Sequence, residues 1–136
     1  APAPAPDARL TVPLLTALGL ASIALGAVSG WLVLVATERP QWLRRWGIVA
    51  PGRFRQAHLD WVMMGLILIA IQTAVPGLPG WIRALVVVGT IVNPLLFLPL
   101  AWGAHVKEHP VYRAVTVASF TAASVGLSAV AVHAIA

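Results

Sequence analysis

The stretch AHLDWVMMG at positions 57–65 opens an apolar segment that continues to about residue 75. A segment of about 20 residues is enough helix to cross a hydrocarbon core about 30 Å thick. Two ionisable side chains, His58 and Asp60, lie near its start. Because charged and metal-ligating groups are costly at membrane depth, both are candidates for a functional site. The stretch therefore predicts a membrane helix and the place on it where chemistry occurs.

Three further apolar segments lie at about 10–36, 81–106 and 111–134, beside the one at about 56–75. The 136-residue chain is 60% hydrophobic and 10% charged, which is more apolar surface than a soluble domain of this length buries. We predict an all-α fold, a single four-transmembrane-helix bundle over residues 10–136. The proline-rich tail at 1–9 has no basic region and does not resemble a signal peptide.

The basic residues divide unequally between the two ends of this predicted bundle. Seven lie at the end with the loops between segments one and two and between segments three and four, and two lie at the other end. This asymmetry predicts that the arginine-rich loops are cytoplasmic and that both termini are outside. The clustered charge suits anionic lipid headgroups better than nucleic acid. The chain has no cysteine, which excludes disulfides, thiolate ligands and iron–sulfur clusters.

His58 shares one helical stripe with Gly65 and Gln72, because the three are spaced by seven residues. Gly65 leaves a gap beside that stripe. A flat cofactor, a substrate or a neighbouring helix could fill the gap. His58 itself either binds a ligand or only hydrogen-bonds to a neighbouring helix.

Asp60 lies about 200° around the helix from His58, so the two side chains do not share a face. Three structural interpretations are open: Asp60 orients an imidazole, pairs with Arg53 or Arg55, or caps amides in the first helical turn. Capping or pairing is the favoured interpretation. The alternative that gives Asp60 a chemical role is direct acid–base catalysis.

Asn93 precedes Pro94 near the middle of segment three, where proline removes a backbone donor. Asn93 is expected either to hydrogen-bond across helices or to contact a polar group of a substrate. His105 and His109 are four residues apart, a spacing that suits a metal on a helix. However, Pro110 disfavours helix at His109, so we favour interfacial histidines.

Small residues recur on two segments. Ser22, Gly26 and Gly30 fall four apart, a pattern that lets another helix approach closely, and we favour ordinary packing within the bundle. Hydroxyl residues on segment four, among them Thr116 and Ser119, typically bond to their own helix and are given no chemical role.

Three stretches together resemble the small four-helix membrane isomerases that include styrene oxide isomerase and hydroxylaminobenzene mutase. Residues 57–65 resemble the AHLEGVMNG stretch of that family, residues 89–93 its GTYAN stretch, and residues 100–104 its AAWGA stretch. Their order, spacing and helix placement agree over roughly residues 10–134.

The resemblance implies a haem b ligated by His58, whose iron acts as a Lewis acid on an epoxide oxygen so that the epoxide rearranges to a carbonyl. It also implies a homotrimer with haem near the subunit interfaces. His58 would then be the metal ligand, with Met64 and Gly65 beside the cofactor, and Asp60 and Asn93 would be the catalytic residues. The partners would be the lipid bilayer and a small lipophilic substrate.

Three positions depart from the family's pattern. Met64 stands where the family has asparagine, and Ile91 and Val88 stand where it has tyrosines. These replacements make the expected pocket more apolar. A Met64 thioether bound to iron would suit electron transfer, so a haem-binding redox subunit is an alternative function. A non-catalytic accessory subunit of a membrane complex is a further one.

Overall fold

The computed structural model describes residues 12–136, so the predicted tail at 1–9 lies outside the described residues. This part of the chain folds into five α-helices joined by turns and two short 3₁₀ helices, without a strand. The helices are α1 (Leu14–Glu38), α2 (Pro40–Arg44), α3 (Gly52–Ala74), α4 (Gly80–Phe97) and α5 (Pro110–Ile135), and the 3₁₀ helices are Pro99–Trp102 and Ala104–Glu108.

Four of these elements are long and apolar enough to cross a membrane: α1, α3, α5, and α4 together with the first 3₁₀ helix. Their apolar windows have mean hydropathies of 1.4–2.2, although at most 39% of any window is buried within the chain. A helix of 23 residues rises about 35 Å, which exceeds the hydrocarbon thickness. The prediction of an all-α, four-span membrane fold is confirmed.

The helices pack chiefly in the order α1, α3, α4, α5, so that α3 lies between α1 and α4. At the end of the bundle where α3 turns into α4, a core forms around Leu15, Leu68, Ile82 and Val86, each at most 3% exposed. A second cluster at the opposite end joins Leu43, Ile48, Phe54 and Ala101. The loop between α1 and α3 is therefore folded onto the bundle.

The crossing of α1 and α3 depends on glycine. A Cβ atom at Gly65 would lie 2.6 Å from the Gly19 carbonyl oxygen, and one at Gly19 would lie 2.7 Å from the Gly65 carbonyl oxygen. At Gly26 a Cβ would meet Val62 Cγ2 at 2.5 Å. The predicted small-residue stripe on segment one therefore does pack within the bundle, as such stripes do in membrane proteins.

Segment three does not continue as one helix to residue 106, and this part of the prediction is wrong. α4 passes through Pro94 and ends at Phe97, where Pro99 cannot donate the next backbone hydrogen bond. Gly103 then has φ +144°, a conformation that favours glycine, and separates the first 3₁₀ helix from the second. His105 consequently lies in a 3₁₀ helix, and His109 has an extended backbone before Pro110.

The first loop is shorter than predicted, because α3 begins at Gly52 rather than at about residue 56. Backbone amides of Val49 and Ala50 both donate to the Ala101 carbonyl oxygen at 2.9 Å. The Trp102 indole N–H donates to the Trp46 carbonyl oxygen at 3.1 Å. These bonds attach the loop to the residues that follow α4.

Candidate functional site

A cavity of about 350 Å³ lies between α3, α4, the start of α5 and the second 3₁₀ helix. Its wall combines three charged side chains with an amide, a phenol, a threonine hydroxyl and several large apolar side chains. The lining residues are Arg53, Asp60, Met64, Asn93, Leu96, Phe97, Leu100, Lys107, Tyr112, Thr116 and Phe120. The structure thus brings the two predicted catalytic residues, Asp60 and Asn93, into one cavity.

Asp60 lies about two helical turns inside α3, since the helix begins at Gly52. The favoured interpretation that Asp60 caps the first turn is therefore wrong. Its candidate ion-pair partner Arg53 donates from Nη1 to the Gln56 side-chain oxygen at 2.7 Å. Asp60 instead shares the cavity with Arg53 and Lys107, so the wall carries a carboxylate and two cations. A carboxylate in this position can accept a proton from a bound molecule or stabilise a positive charge on it.

Asn93 is 9% exposed and is held by α5. The Ser119 hydroxyl donates to the Asn93 Oδ1 oxygen at 2.6 Å. Because this bond occupies the amide oxygen, it turns the two N–H donors of Nδ2 away from Ser119. The interhelical bond expected of Asn93 is therefore present, and the same side chain lines the cavity.

The first half of α5 supplies Tyr112, which sequence reasoning missed, and two hydroxyl residues to which it gave no chemical role. Thr116 bonds to its own helix as expected, whereas Ser119 bonds instead to Asn93 on α4. The Tyr112 hydroxyl donates to the Leu96 carbonyl oxygen at 2.7 Å, which the end of α4 leaves accessible. The Thr116 hydroxyl donates to the Tyr112 carbonyl oxygen at 2.8 Å. Tyr112, Thr116 and Ser119 are spaced by four and three, the signal of one helical face. Tyr112 is also the single tyrosine of the chain.

His58 lies on the opposite side of α3, against α1. Its Nδ1 is 2.7 Å from the Gly26 carbonyl oxygen and 3.4 Å from the Ser29 hydroxyl. Because a carbonyl can only accept, the short contact assigns the proton to Nδ1. Nε2 then carries the lone pair. An Nδ1–H bonded to a backbone carbonyl is the arrangement that orients metal-ligating histidines.

On the α1 side, the His58 imidazole packs closely against the helix. Gly30 lies beside the imidazole, where an added Cβ would be 3.4 Å from His58 Cε1. A shallow cleft of about 270 Å³ follows, lined by Ala27, Gly30, Trp31 and Leu34. His58 lies beside Gly30 but does not line this cleft, so within one chain the fit to a haem rests on the Nε2 lone pair alone.

Met64 and Gly65 do not extend this surface. Met64 lines the cavity with Asp60, on the side of α3 away from His58, so one chain does not direct both side chains at a common iron. The gap beside Gly65 is filled by α1, because Gly19 and Ile23 lie against it. The neighbouring-helix interpretation of that gap describes the structure, and a cofactor beside Gly65 does not fit it.

Two departures from the family pattern lie away from the cavity wall. Ile91 packs against the apolar core, and Val88 is 49% exposed. Only Met64, which replaces the family's asparagine, borders the cavity. His105 and His109 line a separate surface groove, and His109 Nδ1 accepts from the Val111 amide at 3.3 Å.

The fold and the cavity define a multi-pass membrane protein with a polar site among its helices. The sequence matches no protein-family model and no curated protein, and the fold matches no solved structure.

Proposed function

We propose that the chain is a membrane-embedded isomerase of small lipophilic molecules that holds haem b on His58. The observation that carries the proposal is the 2.7 Å bond from His58 Nδ1 to the Gly26 carbonyl oxygen, which leaves Nε2 free as a ligand. Haem iron with a single imidazole ligand supplies an open Lewis-acid position for an epoxide oxygen. Within residues 12–136 no group of three or more histidine and carboxylate side chains is placed to hold a metal ion.

The cavity residues have roles that follow from their chemistry. The Nδ2 donors of Asn93 would hold a polar atom of the substrate, since Ser119 occupies the amide oxygen. Asp60 would stabilise positive charge that develops on carbon when the epoxide C–O bond breaks. Apolar side chains, including Phe97 and Leu100, would keep water from attacking that carbon. The rearrangement needs no co-reactant, because product and substrate have the same atoms.

The proposed site has two parts, the haem ligand His58 and the cavity that contains Asp60 and Asn93. These two parts would meet only where two chains pack together. His58 faces the α1 side of α3, whereas Asp60 and Asn93 face the α4 side. A homo-oligomer in which the α1 side of one copy packs on the cavity side of the next joins them. The trimer implied by the resemblance would have to pack in this way to join them.

The proposed orientation keeps the arginine-rich loops cytoplasmic. Arg53 and Lys107 lie at the same end of the bundle as the folded loop after α1. The positive-inside preference then places the cavity nearer the cytoplasmic surface and both termini outside.

The first experiment compares optical spectra of the purified protein, His58→Ala and Met64→Leu in mild detergent. We expect a Soret band of high-spin haem in the parent and in Met64→Leu, and its loss in His58→Ala. A six-coordinate, low-spin haem whose spectrum does not change when ligands are added would indicate the redox subunit instead. No Soret band after haem is added would refute the proposal and leave the accessory-subunit function.

A further inference from the structure

A large apolar groove opens beside the polar cavity. It encloses about 970 Å³ between the end of α4, the second 3₁₀ helix and the first turns of α5. Its outer wall is exposed to the surroundings of the helices, since Leu95, Val111 and Val115 are 43%, 62% and 41% exposed. Those residues belong to or adjoin predicted membrane spans, so the groove faces lipid at the end of the bundle that carries Lys107.

The groove and the cavity share two lining residues, Leu96 and Tyr112. The Tyr112 hydroxyl donates to the Leu96 carbonyl oxygen at 2.7 Å, so these two hydrogen-bonded residues form part of the wall between the compartments. Leu96 is 9% exposed and is fixed within α4. The movable part of the wall is therefore the Tyr112 ring, which can turn about its own side-chain torsions once a single hydrogen bond is released.

We propose that Tyr112 is the gate through which an uncharged lipophilic substrate passes from the lipid-facing groove into the cavity of Asp60 and Asn93. The inference rests on the proposed function only in naming the cavity as the substrate site. Apolar lining admits a molecule that is already dissolved in the bilayer, whereas a charged molecule would lose its hydration there. The Tyr112 ring rather than its single hydrogen bond is the main obstacle, because one hydrogen bond contributes little net free energy.

A second opening of the cavity gives the competing route. Phe120 lines the cavity and is 55% exposed, so a molecule could also enter beside Phe120 without passing Tyr112. A third depression, lined by Arg113 and Val117, also shares Lys107, Tyr112 and Thr116 with the cavity. Entry through the groove is distinguished from both other routes by Leu95 and Val115, which line only the groove.

The absence of cysteine from the chain makes entry measurable without any turnover. Met64 lines the cavity and not the groove, so Met64→Cys places one thiol inside. N-phenylmaleimide, a small uncharged reagent that partitions into lipid, is added to the full-length protein in vesicles. The thiolate sulfur bonds to one alkene carbon of the maleimide and the neighbouring carbon takes a proton, so the adduct is counted by intact mass.

Four changes are made in the Met64→Cys chain. Leu95→Trp with Val115→Trp fills the groove, and Val125→Trp with Val132→Trp is the matched control on exposed positions of α5 that line neither compartment. Tyr112→Ala removes the gate, and Tyr112→Phe keeps the ring but not its hydrogen bond.

We expect filling the groove to slow labelling several-fold and the matched control to leave it unchanged. Tyr112→Ala should speed labelling several-fold, and Tyr112→Phe should speed it slightly. Two outcomes would overturn the gate. One is an equal labelling rate in the groove-filled and control chains, and the other is labelling that is slowed by Phe120→Trp but not by filling the groove. The melting midpoint and the size-exclusion elution volume of each variant are first compared with those of Met64→Cys. If Tyr112→Ala misfolds, Tyr112→Leu replaces it. Since labelling needs neither haem nor a reaction, failure of the proposed function leaves this readout intact.

Discussion

Replacement of Gly65 by alanine tests whether the close crossing of α1 and α3 holds the fold together. The added Cβ would lie 2.6 Å from the Gly19 carbonyl oxygen, 2.8 Å from Ile23 Cγ1 and 3.1 Å from the Ile23 amide nitrogen. Two of these three atoms are backbone, so no change of rotamer relieves the contact and the helices must separate. Overpacking of this kind costs about 1–3 kcal/mol. Alanine has a helix propensity that is more favourable than that of glycine by up to about 1 kcal/mol, and this gain is smaller than the expected cost of overpacking.

We therefore expect Gly65→Ala to lose about 1–2 kcal/mol, which lowers the melting midpoint by roughly 3–8 °C in a chain of this size. The assay is thermal unfolding in mild detergent, followed by circular dichroism. Gly52→Ala is the matched control, because a Cβ there meets nothing within 4 Å at the start of the same helix. Equal midpoints for the two variants would refute the packing described for α1 and α3.

Three further outcomes are expected. Ser119→Ala should cost about 1–2 kcal/mol of stability, because it leaves the buried Asn93 oxygen without its donor, and thermal unfolding measures this. Asp60→Asn should reduce rearrangement of an aryl epoxide to its carbonyl product by about tenfold or more while the haem spectrum stays unchanged, and equal turnover by product chromatography would remove Asp60 from the reaction. Trp102→Phe should cost about 0.5–1 kcal/mol, since only the exposed indole bond to the Trp46 carbonyl oxygen is lost, and a larger drop in the midpoint would contradict this estimate.

The number and character of the membrane helices follow from the sequence, because each span is a long apolar run bounded by polar residues, proline or glycine. The end of α4 does not follow in the same way. Pro94 and Pro99 are both within an apolar run, yet α4 continues through the first and ends at Phe97 before the second. Which proline ends a helix depends on whether neighbours satisfy the freed carbonyls. Here Tyr112, 16 residues away from Leu96, satisfies one of them.

The candidate site is predictable only in part for the same reason. Helical spacing correctly places His58 and Asp60 on different faces of α3. The spacing does not indicate which neighbour each face meets, so it leaves a ligand and a helix equally possible beside Gly65, where α1 in fact packs. Tyr112 and Ser119 could be placed on one face of α5, but their partners on α4 depend on how the two helices pack.

The central position of α3 explains why the two candidate halves are separated within one chain. α3 packs on α1 with one side and on α4 with the other, and an α-helix with its side chains is about 10 Å across. The His58 side chain bonds to the Gly26 carbonyl oxygen on α1, so it points away from the face of α3 that carries Asp60. The glycines at the crossing allow α1 to lie close enough for this bond. A reaction that needs both an imidazole-bound iron and the Asp60 cavity therefore requires a second copy whose cavity faces the first copy's His58. Mixed oligomers of His58→Ala and Asp60→Asn chains should then recover part of the activity that neither variant has alone, whereas a site built within one chain would recover none.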